Sequence, residues 1–279
     1  MQMGIDTSNC RISQFHSAED GDTYDVWRVE VPEGIRVLKR AKGSEAQIYS
    51  IYFSSVKTYA PQVYAVAEYN GESYLLMEYI PGNDMSVATR DSITMALNAL
   101  IAMQMEYWQK SNTLNSACAT ARNNRRNYLK NATLEQAYDT YLSFIQKMPL
   151  TLCHDDLLPF NVMISDERAV LIDWEVGGIL PYPTSLARLI AHSSSEPDAF
   201  FYISDADKAF AIDYYYANLP VKMGISRSDF DRDLALCMLY EYCEWVYVGN
   251  KYHDGDKVRY QSYLKKALQQ AKYLEAFNQ

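Results

Sequence analysis

The feature of this 279-residue sequence that most constrains its fold is a change of pattern at Pro81 and Gly82. Before it, residues 24 to 79 alternate apolar and polar side chains in short runs, which is the period of strands that bury one face. After it come long segments with apolar residues at helical spacing, such as residues 91 to 110. The sequence therefore predicts a small antiparallel sheet followed by a larger, mainly helical part.

Each part is predicted to contain one element of the other kind. In the first part, Ser44 is positioned to cap a helix that begins near Glu45. In the second part, the apolar runs NVMI and AVLIDW flank the polar turn at residues 165 to 168, which is typical of a β-hairpin. The sequence shows no repeat or long linker, so the turn at residues 81 to 84 is the best boundary between the two parts.

Amino-acid composition, net charge and cysteine count argue against several classes of protein. With 48% hydrophobic and 22% charged residues, and no run of about eighteen apolar residues, the chain is not expected to enter a membrane. A net charge of -9 argues against nucleic acid as a partner, because phosphates would be repelled. No secretory signal begins the sequence, and five cysteines without a CxxC pair fit a reducing compartment. We therefore expect a cytoplasmic location.

The strongest chemical signal is the segment HDDLLPFNVMI, followed by LIDWE, which spaces His154, Asp156, Asn161 and Asp173 along the predicted hairpin. Phosphoryl transfer needs a carboxylate that orients the attacking hydroxyl, and oxygen ligands that hold Mg²⁺ against a triphosphate. Asp156 is the candidate base, while Asn161 and Asp173 are the candidate metal ligands. His154 is predicted to brace the loop through hydrogen bonds. Any one of these residues could be a loop cap or strand-end side chain, but four at this spacing favour catalysis.

This segment resembles the catalytic loop HGDxxxxN of the aminoglycoside phosphotransferase and choline kinase superfamily, small-molecule kinases that are distantly related to protein kinases. The resemblance extends over most of the chain. It implies an α+β, protein-kinase-like fold of two lobes, residues 1 to 82 and residues 83 to 279. It also implies that ATP and Mg²⁺ bind between the lobes.

Four residues compare the chain with the motifs of this superfamily in more detail. Asp155 stands where the superfamily has a glycine, and Ser185 stands where its D-L-A motif has an aspartate. Trp174 and Glu175, which follow Asp173, resemble the DWE variant of choline- and thiamine-kinase-like members. The resemblance therefore favours a substrate smaller than an aminoglycoside without deciding the subfamily.

The same resemblance assigns the nucleotide contacts. Lys39 matches the lysine that contacts the α- and β-phosphates, with Glu45 as its ion-pair partner, and Gly21 lies in the loop that would approach the phosphates. LLMEYIPG resembles a kinase hinge, which would bind adenine through the Glu78 carbonyl and the Ile80 N–H. Without the resemblance, Lys39 would be interpreted as a solvated lysine on an edge strand, and Glu45 as a glutamate that complements the dipole of its helix.

The acceptor is expected to bind on a late helix. Glu241, Glu244 and Trp245 share one helical face, and carboxylates beside an indole suit a cationic group. An aromatic stripe of this kind is also typical of a packed core, with glutamates on its flanks. The resemblance to choline kinases, which surround a quaternary nitrogen with aromatic residues, favours the binding interpretation.

The sequence therefore predicts an ATP-dependent phosphotransferase that acts on a hydroxyl of a small, cationic molecule of the aminoglycoside type. A choline, ethanolamine or thiamine kinase is the near alternative, and a catalytically silent nucleotide-binding scaffold is a further one. Retention of Asp156, Asn161 and Asp173 argues against the scaffold. A protein kinase is disfavoured because little chain separates Asp173 from the next helix and no APE element follows.

Overall fold

A computed structural model describes residues 10–16, 23–193, 201–252, 257–275 and 277. The N-terminal part is a five-stranded antiparallel sheet with the order β1-β2-β3-β5-β4. Its strands are β1 (Arg11–His16), β2 (Thr23–Val31), β3 (Gly34–Arg40), β4 (Val63–Tyr69) and β5 (Glu72–Glu78). The sequence predicted the last four of these strands and missed β1.

The hairpin between β4 and β5 turns at Asn70 and Gly71. Both residues have positive φ, 51° and 79°, which is the backbone that a two-residue type I′ hairpin turn requires. Asn and Gly are the residues that adopt it most readily, so this dipeptide fixes the register of the pair.

Helix α1 (Glu45–Tyr52) connects β3 to β4. Ile48 and Tyr49 are buried, so one face of the helix packs against the core. The predicted helix start is confirmed, but the predicted side-chain cap is wrong. The Ser44 hydroxyl donates instead to the carbonyl oxygen of Glu175 at 3.1 Å, and the backbone N–H of Ser44 donates to the same oxygen at 3.0 Å.

The C-terminal part is mainly helical. Its helices are α2 (Arg90–Tyr107), α3 (Ser116–Arg126), α4 (Ala132–Phe144), α5 (Thr184–Ala191), α6 (Asp205–Asn218), α7 (Arg227–Tyr252) and α8 (Lys257–Glu275). A capping box at Thr89 and Ser92 starts α2, whose apolar face is buried at Ile93, Leu97 and Leu100. Helix α5 packs between α7 and the strand that carries the catalytic segment.

Two short sheets lie within the helical part. Strand β6 (Asn83–Asp84) pairs with β8 (Val162–Ile164), which forms the predicted hairpin with β9 (Ala169–Leu171). Strand β7 (Leu150–His154) pairs with β10 (Gly177–Pro181), a pair that the sequence reasoning did not predict. The hairpin is confirmed, and β7 leads directly into the catalytic segment.

The predicted α+β architecture of a sheet lobe and a larger helical lobe is confirmed. Within the described ranges, no helix combines the length and apolarity needed to cross a membrane.

Candidate active site

The catalytic segment runs from the end of β7 to the start of β8, and its first side chain is His154. The imidazole is fully buried, and burial lowers the pKa of His154, which favours the neutral ring. Its Nε2 donates to the Ile172 carbonyl at 2.8 Å, and its Nδ1 accepts from the Asp156 N–H at 3.2 Å. The ring packs against Trp174 at 4.4 Å between centroids. These are the contacts of a side chain that fixes the loop.

Asp156 projects from this loop with its side chain 33% exposed. The Asn161 amide nitrogen donates to the Asp156 carbonyl at 2.8 Å and lies 3.3 Å from its Oδ2. Because the amide nitrogen of Asn161 is used here, its amide oxygen remains for a cation. The loop thus presents one carboxylate and one amide oxygen side by side.

Asp173 lies close to Asn161 because the hairpin brings them together. Val162 pairs with Leu171, and the Ile172 N–H donates to the Asn161 carbonyl at 2.9 Å, so Asp173 follows at the same end of the hairpin. Asp173 has a φ of 65°, a left-handed conformation that non-glycine residues adopt at some cost and that is frequent at functional sites.

Lys39 reaches this end of the hairpin from β3. Its Nζ lies 2.8 Å from Glu45 Oε1 and 2.5 Å from Asp173 Oδ1. Burial alone would lower the pKa of Lys39, but the two carboxylates outweigh it and raise the pKa. Burial raises the pKa of Glu45, with Lys39 opposing that shift. The structure therefore brings together the lysine, the glutamate and the aspartate that were predicted from three separate parts of the sequence.

These side chains fit a magnesium-nucleotide complex. Among the described residues, no three His, Cys, Asp or Glu side chains gather to enclose a metal ion. Mg²⁺ in nucleotide sites needs fewer protein ligands, because phosphate oxygens and water complete its shell. One carboxylate at Asp173 and one amide oxygen at Asn161 meet that requirement, and Lys39 Nζ lies 2.5 Å from the same Asp173 carboxylate.

The predicted hinge leaves the sheet at the end of β5. The Glu78 carboxylate accepts from Arg168 of the β8–β9 turn at 2.5 Å and from the Gln62 N–H at 3.1 Å. Ile80, two residues later, is buried. The end of β5 thus contacts the β8–β9 turn of the helical part. Gly21, the predicted phosphate-loop residue, lies outside the described residues.

On the acceptor side, the predicted carboxylates are paired with cations of the chain itself. Arg188 Nη1 donates to Glu241 at 3.0 Å and to Glu244 at 2.7 Å. Its Nε and Nη2 donate to Asp156 Oδ1 at 3.0 and 2.6 Å. Arg125 pairs with the other Glu244 oxygen at 2.5 Å. Arg188 therefore joins the candidate base to the two predicted acceptor carboxylates.

Trp245 faces a different neighbour from the two glutamates. Its indole stacks on Tyr263 of α8, with centroids 5.7 Å apart and planes 22° apart, and the Arg259 guanidinium lies 5.2 Å from the ring centre. The three predicted acceptor residues thus share α7 but already contact cations within the chain.

Sequence reasoning gave no role to three residues that shape the site, and it did not name Arg188 at all. Asp155, at the glycine position of the superfamily, forms a bidentate pair with the buried Arg122. Ser185, at the aspartate position, accepts a hydrogen bond from the His154 N–H at 3.0 Å through its hydroxyl. Arg188 is the charged residue of an otherwise uncharged helix, TSLARLIA. A single charge on a buried helix is the signal that could have identified it.

Comparisons with known proteins agree with this geometry. The model of a family described as phosphotransferase enzymes matches residues 18–215, which include Lys39 and the whole catalytic segment and end before α7. No curated protein is significantly similar in sequence. A choline kinase from Cryptosporidium parvum superposes with a TM-score of 0.63 at 12% identity, covering 99% of this chain and 95% of its own.

Two further structures superpose over most of their length. An amicoumacin kinase in complex with AMP-PNP, Ca²⁺ and Ami has a TM-score of 0.61 at 12% identity, covering 95% of this chain and 88% of its own. An aminoglycoside phosphotransferase from Alicyclobacillus acidocaldarius has a TM-score of 0.58 at 12% identity, covering 95% and 90%. At this level of identity, the similarity shows a shared fold.

Proposed function

Because the chain belongs to the phosphotransferase enzyme family, we propose that it transfers the γ-phosphoryl group of ATP to a hydroxyl of a small molecule. The observation that carries this proposal is the convergence of Lys39, Asp173, Asn161 and Asp156 at one end of the hairpin. Neither lobe alone supplies the four, so the cleft between the lobes is the proposed site.

In the proposed reaction, the acceptor oxygen forms a bond to the γ-phosphorus while the bond from that phosphorus to the β–γ bridging oxygen breaks. The hydroxyl proton passes to Asp156, and ADP leaves. His154 keeps Asp156 in place through the backbone hydrogen bond to its Nδ1. Lys39, held by Glu45, neutralises negative charge on the phosphates.

Asn161 and Asp173 would hold Mg²⁺, which neutralises charge on the triphosphate when it is bound. Glu78 and Ile80 would bind adenine through their backbone groups, and Gly21 would approach the phosphates. These nucleotide contacts are proposed from the resemblance, and the position of the β5 end between the lobes supports them.

The acceptor is proposed only as a small hydroxyl compound. Amicoumacin, choline and aminoglycosides are substrates named for the similar structures, and their diversity at 12% identity does not select one. The family match ends before α7, which carries Glu241, Glu244 and Trp245, so the cationic acceptor predicted from those residues stays a prediction.

The test is ADP release by purified protein with Mg-ATP and a panel of hydroxyl acceptors, with Asp156→Asn as the matched variant. This substitution removes the base but keeps the metal ligands, so we expect turnover to fall at least about a hundredfold. Mg-ATP binding should change less than about threefold, because Asp156 is not among the proposed nucleotide ligands. Full acceptor-dependent activity in Asp156→Asn would refute the mechanism. ATP binding without turnover on any acceptor would favour the scaffold alternative.

A further inference from the structure

Arg188 lies beside Asp156, the carboxylate at which the acceptor hydroxyl is proposed to bind. It lies on α5, and its side chain is only 13% exposed. Its guanidinium spans from Asp156 on the catalytic loop to Glu241 and Glu244 on α7. An acceptor whose hydroxyl reaches Asp156 therefore places its neighbouring atoms beside this guanidinium.

The guanidinium stays charged under all relevant conditions. Burial opposes the charged form of Arg188, but the three carboxylates around it outweigh burial and raise the pKa of a group that is already protonated at ordinary pH. Displacing the guanidinium is also costly, since Asp156 and Glu241 would lose their counter-charge. A cationic acceptor would thus meet a fixed positive charge next to the reacting hydroxyl.

An anionic acceptor is disfavoured as well. Every nitrogen of the Arg188 guanidinium already donates to a partner in the chain, Nε and Nη2 to Asp156 and Nη1 to the two glutamates. Glu244 receives a second guanidinium from Arg125, so its charge is likewise matched. An added anion would lie close to the Asp156 carboxylate, and four of the five Arg188 N–H groups already donate within the chain.

One oxygen of Asp156 remains for the acceptor hydroxyl. Arg188 binds Oδ1, while Oδ2 lies 3.3 Å from the Asn161 amide nitrogen and belongs to a carboxylate that is 33% exposed. Fixing Oδ1 selects one orientation of the carboxylate, and Oδ2, which accepts only the long bond from Asn161, keeps a lone pair for the acceptor hydroxyl. Arg188 is thus placed to orient the base and to set the charge of its surroundings.

We propose that Arg188 is the specificity-determining residue of the acceptor side, and that the acceptor is an uncharged polyhydroxyl compound such as a sugar or a polyol. This inference rests on the proposed phosphotransferase function. It differs from the cationic acceptor that the sequence predicted, because the cation position beside Glu241 and Glu244 holds a side chain of the protein itself.

The experiment compares acceptors that differ in charge and little else. One set is glucose, glucosamine and gluconate, a second is 3,3-dimethyl-1-butanol against choline, and the panel extends to pentoses and sugar alcohols with their amino and acid counterparts. We expect the uncharged member to have a kcat/KM at least about tenfold above its charged counterparts. Acceptor-dependent ADP release that favours the charged members in the wild-type protein would overturn the role of Arg188 while leaving the kinase activity established.

A substitution supplies a second, independent readout. Arg188→Met leaves Asp156 and Glu241 without this counter-cation, while Glu244 keeps Arg125, so we expect the preference to shift at least about tenfold toward amine-bearing acceptors. Arg188→Lys keeps the charge and should keep the preference for uncharged acceptors, although kcat should fall because one ammonium cannot hold Asp156 in the same way. Arg90→Met, which removes an exposed ion pair with Asp207 on the surface, is the matched control.

Thermal melting and Mg-ATP binding establish that each variant is folded. If Arg188→Met does not fold, the ranking of acceptors by the wild-type protein and by Arg188→Lys decides the question. An unchanged ranking in a folded Arg188→Met would refute the proposal. Absence of acceptor-dependent ADP release across the whole panel, with Mg-ATP still bound, would count against the proposed function itself and hence against this role.

Discussion

The buried pair of Arg122 and Asp155 gives the sharpest prediction about how the catalytic loop is held. The two side chains are 1% and 10% exposed, and the guanidinium binds both carboxylate oxygens at 2.5 and 3.0 Å. Arg122 also donates to the Tyr141 hydroxyl at 2.9 Å and lies over the Tyr240 ring at 4.3 Å. Asp155 is next to the candidate base, so this pair anchors the loop to α3.

Arg122→Met keeps much of the apolar stem but leaves Asp155 buried without its counter-charge. Removing one partner of a buried ion pair costs about 3–5 kcal/mol of unfolding free energy. With a urea dependence of about 3 kcal/mol per M for a chain of this size, the unfolding midpoint should fall by about 1–1.7 M. Because the loop loses its anchor, kcat should fall more than the affinity for Mg-ATP changes.

A double-mutant cycle separates the energy of the Arg122–Asp155 ion pair from the energy of side-chain packing. Arg122→Met with Asp155→Asn removes both charges, so the double variant should recover at least about 1.5 kcal/mol relative to the sum of the two single variants. The measurement is urea unfolding followed by tryptophan fluorescence. A loss below about 1 kcal/mol in Arg122→Met, or single effects that add within about 0.5 kcal/mol, would refute the assignment of an anchoring role.

Three further predictions concern the nucleotide side, the pH response and the contact between the lobes. Lys39→Met should lower kcat/KM for ATP about a hundredfold or more, because it removes the proposed phosphate contact. Lys42, three residues away, has a half-exposed side chain, so Lys42→Met should have little effect. Equal losses in the two variants would contradict the phosphate contact. Burial, followed by the charge of Arg188, lowers the pKa of His192 to about 3, compared with about 6.5 in the unfolded chain. The neutral ring therefore contributes stability that is fully present above pH 6.5 and is lost as the pH falls toward 3. The loss should reach up to about 1.4 kcal/mol per pH unit, and it should be smaller in His192→Gln, as urea midpoints from pH 7.5 to 5 would test. A Cβ at Gly43, where φ is 53°, would lie 2.4 Å from a backbone carbonyl oxygen, so Gly43→Ala should cost more stability than Gly71→Ala, where φ is 79° and no atom lies within 4 Å. Equal thermal shifts in these two alanine variants would contradict that close contact.

The parts of the fold that the sequence predicted are those set by local patterns. The hairpin between β8 and β9 and the turn at Asn70 and Gly71 depend on residues that are adjacent in the chain. The pairing of β7 with β10 was missed because long-range pairing carries no local signal and β10 begins with two glycines, Gly177 and Gly178. Strand β1 was missed because none of its residues is buried, so it lacks the apolar alternation of a half-buried strand. The predicted cap at Ser44 was wrong because a tertiary partner competes for its hydroxyl.

In the candidate site too, the residues with a local sequence signal were predicted and those that depend on distant contacts were not. His154, Asp156, Asn161 and Asp173 were found because their spacing follows from one loop and one hairpin, and the structure places them together. Arg188 was missed because its partners lie on a loop and on a helix that are distant in the sequence. Helical periodicity identifies which residues share a face but does not say what that face meets.

The contacts of α1 have a consequence for how the cleft can open. The carbonyl of Glu175 holds the start of this helix, the Tyr107 hydroxyl donates to the carbonyl of Tyr52 at its end, and Glu106 binds Lys57 and Tyr59 just beyond it.

Helix α1 and the connection to β4 are therefore fastened to the helical lobe, although they belong to the sheet lobe in sequence. A separation of the five strands from the helical lobe would therefore either break these bonds or leave α1 with the helices. In the second case the ion pair between Lys39 and Glu45 would open, because Lys39 belongs to β3.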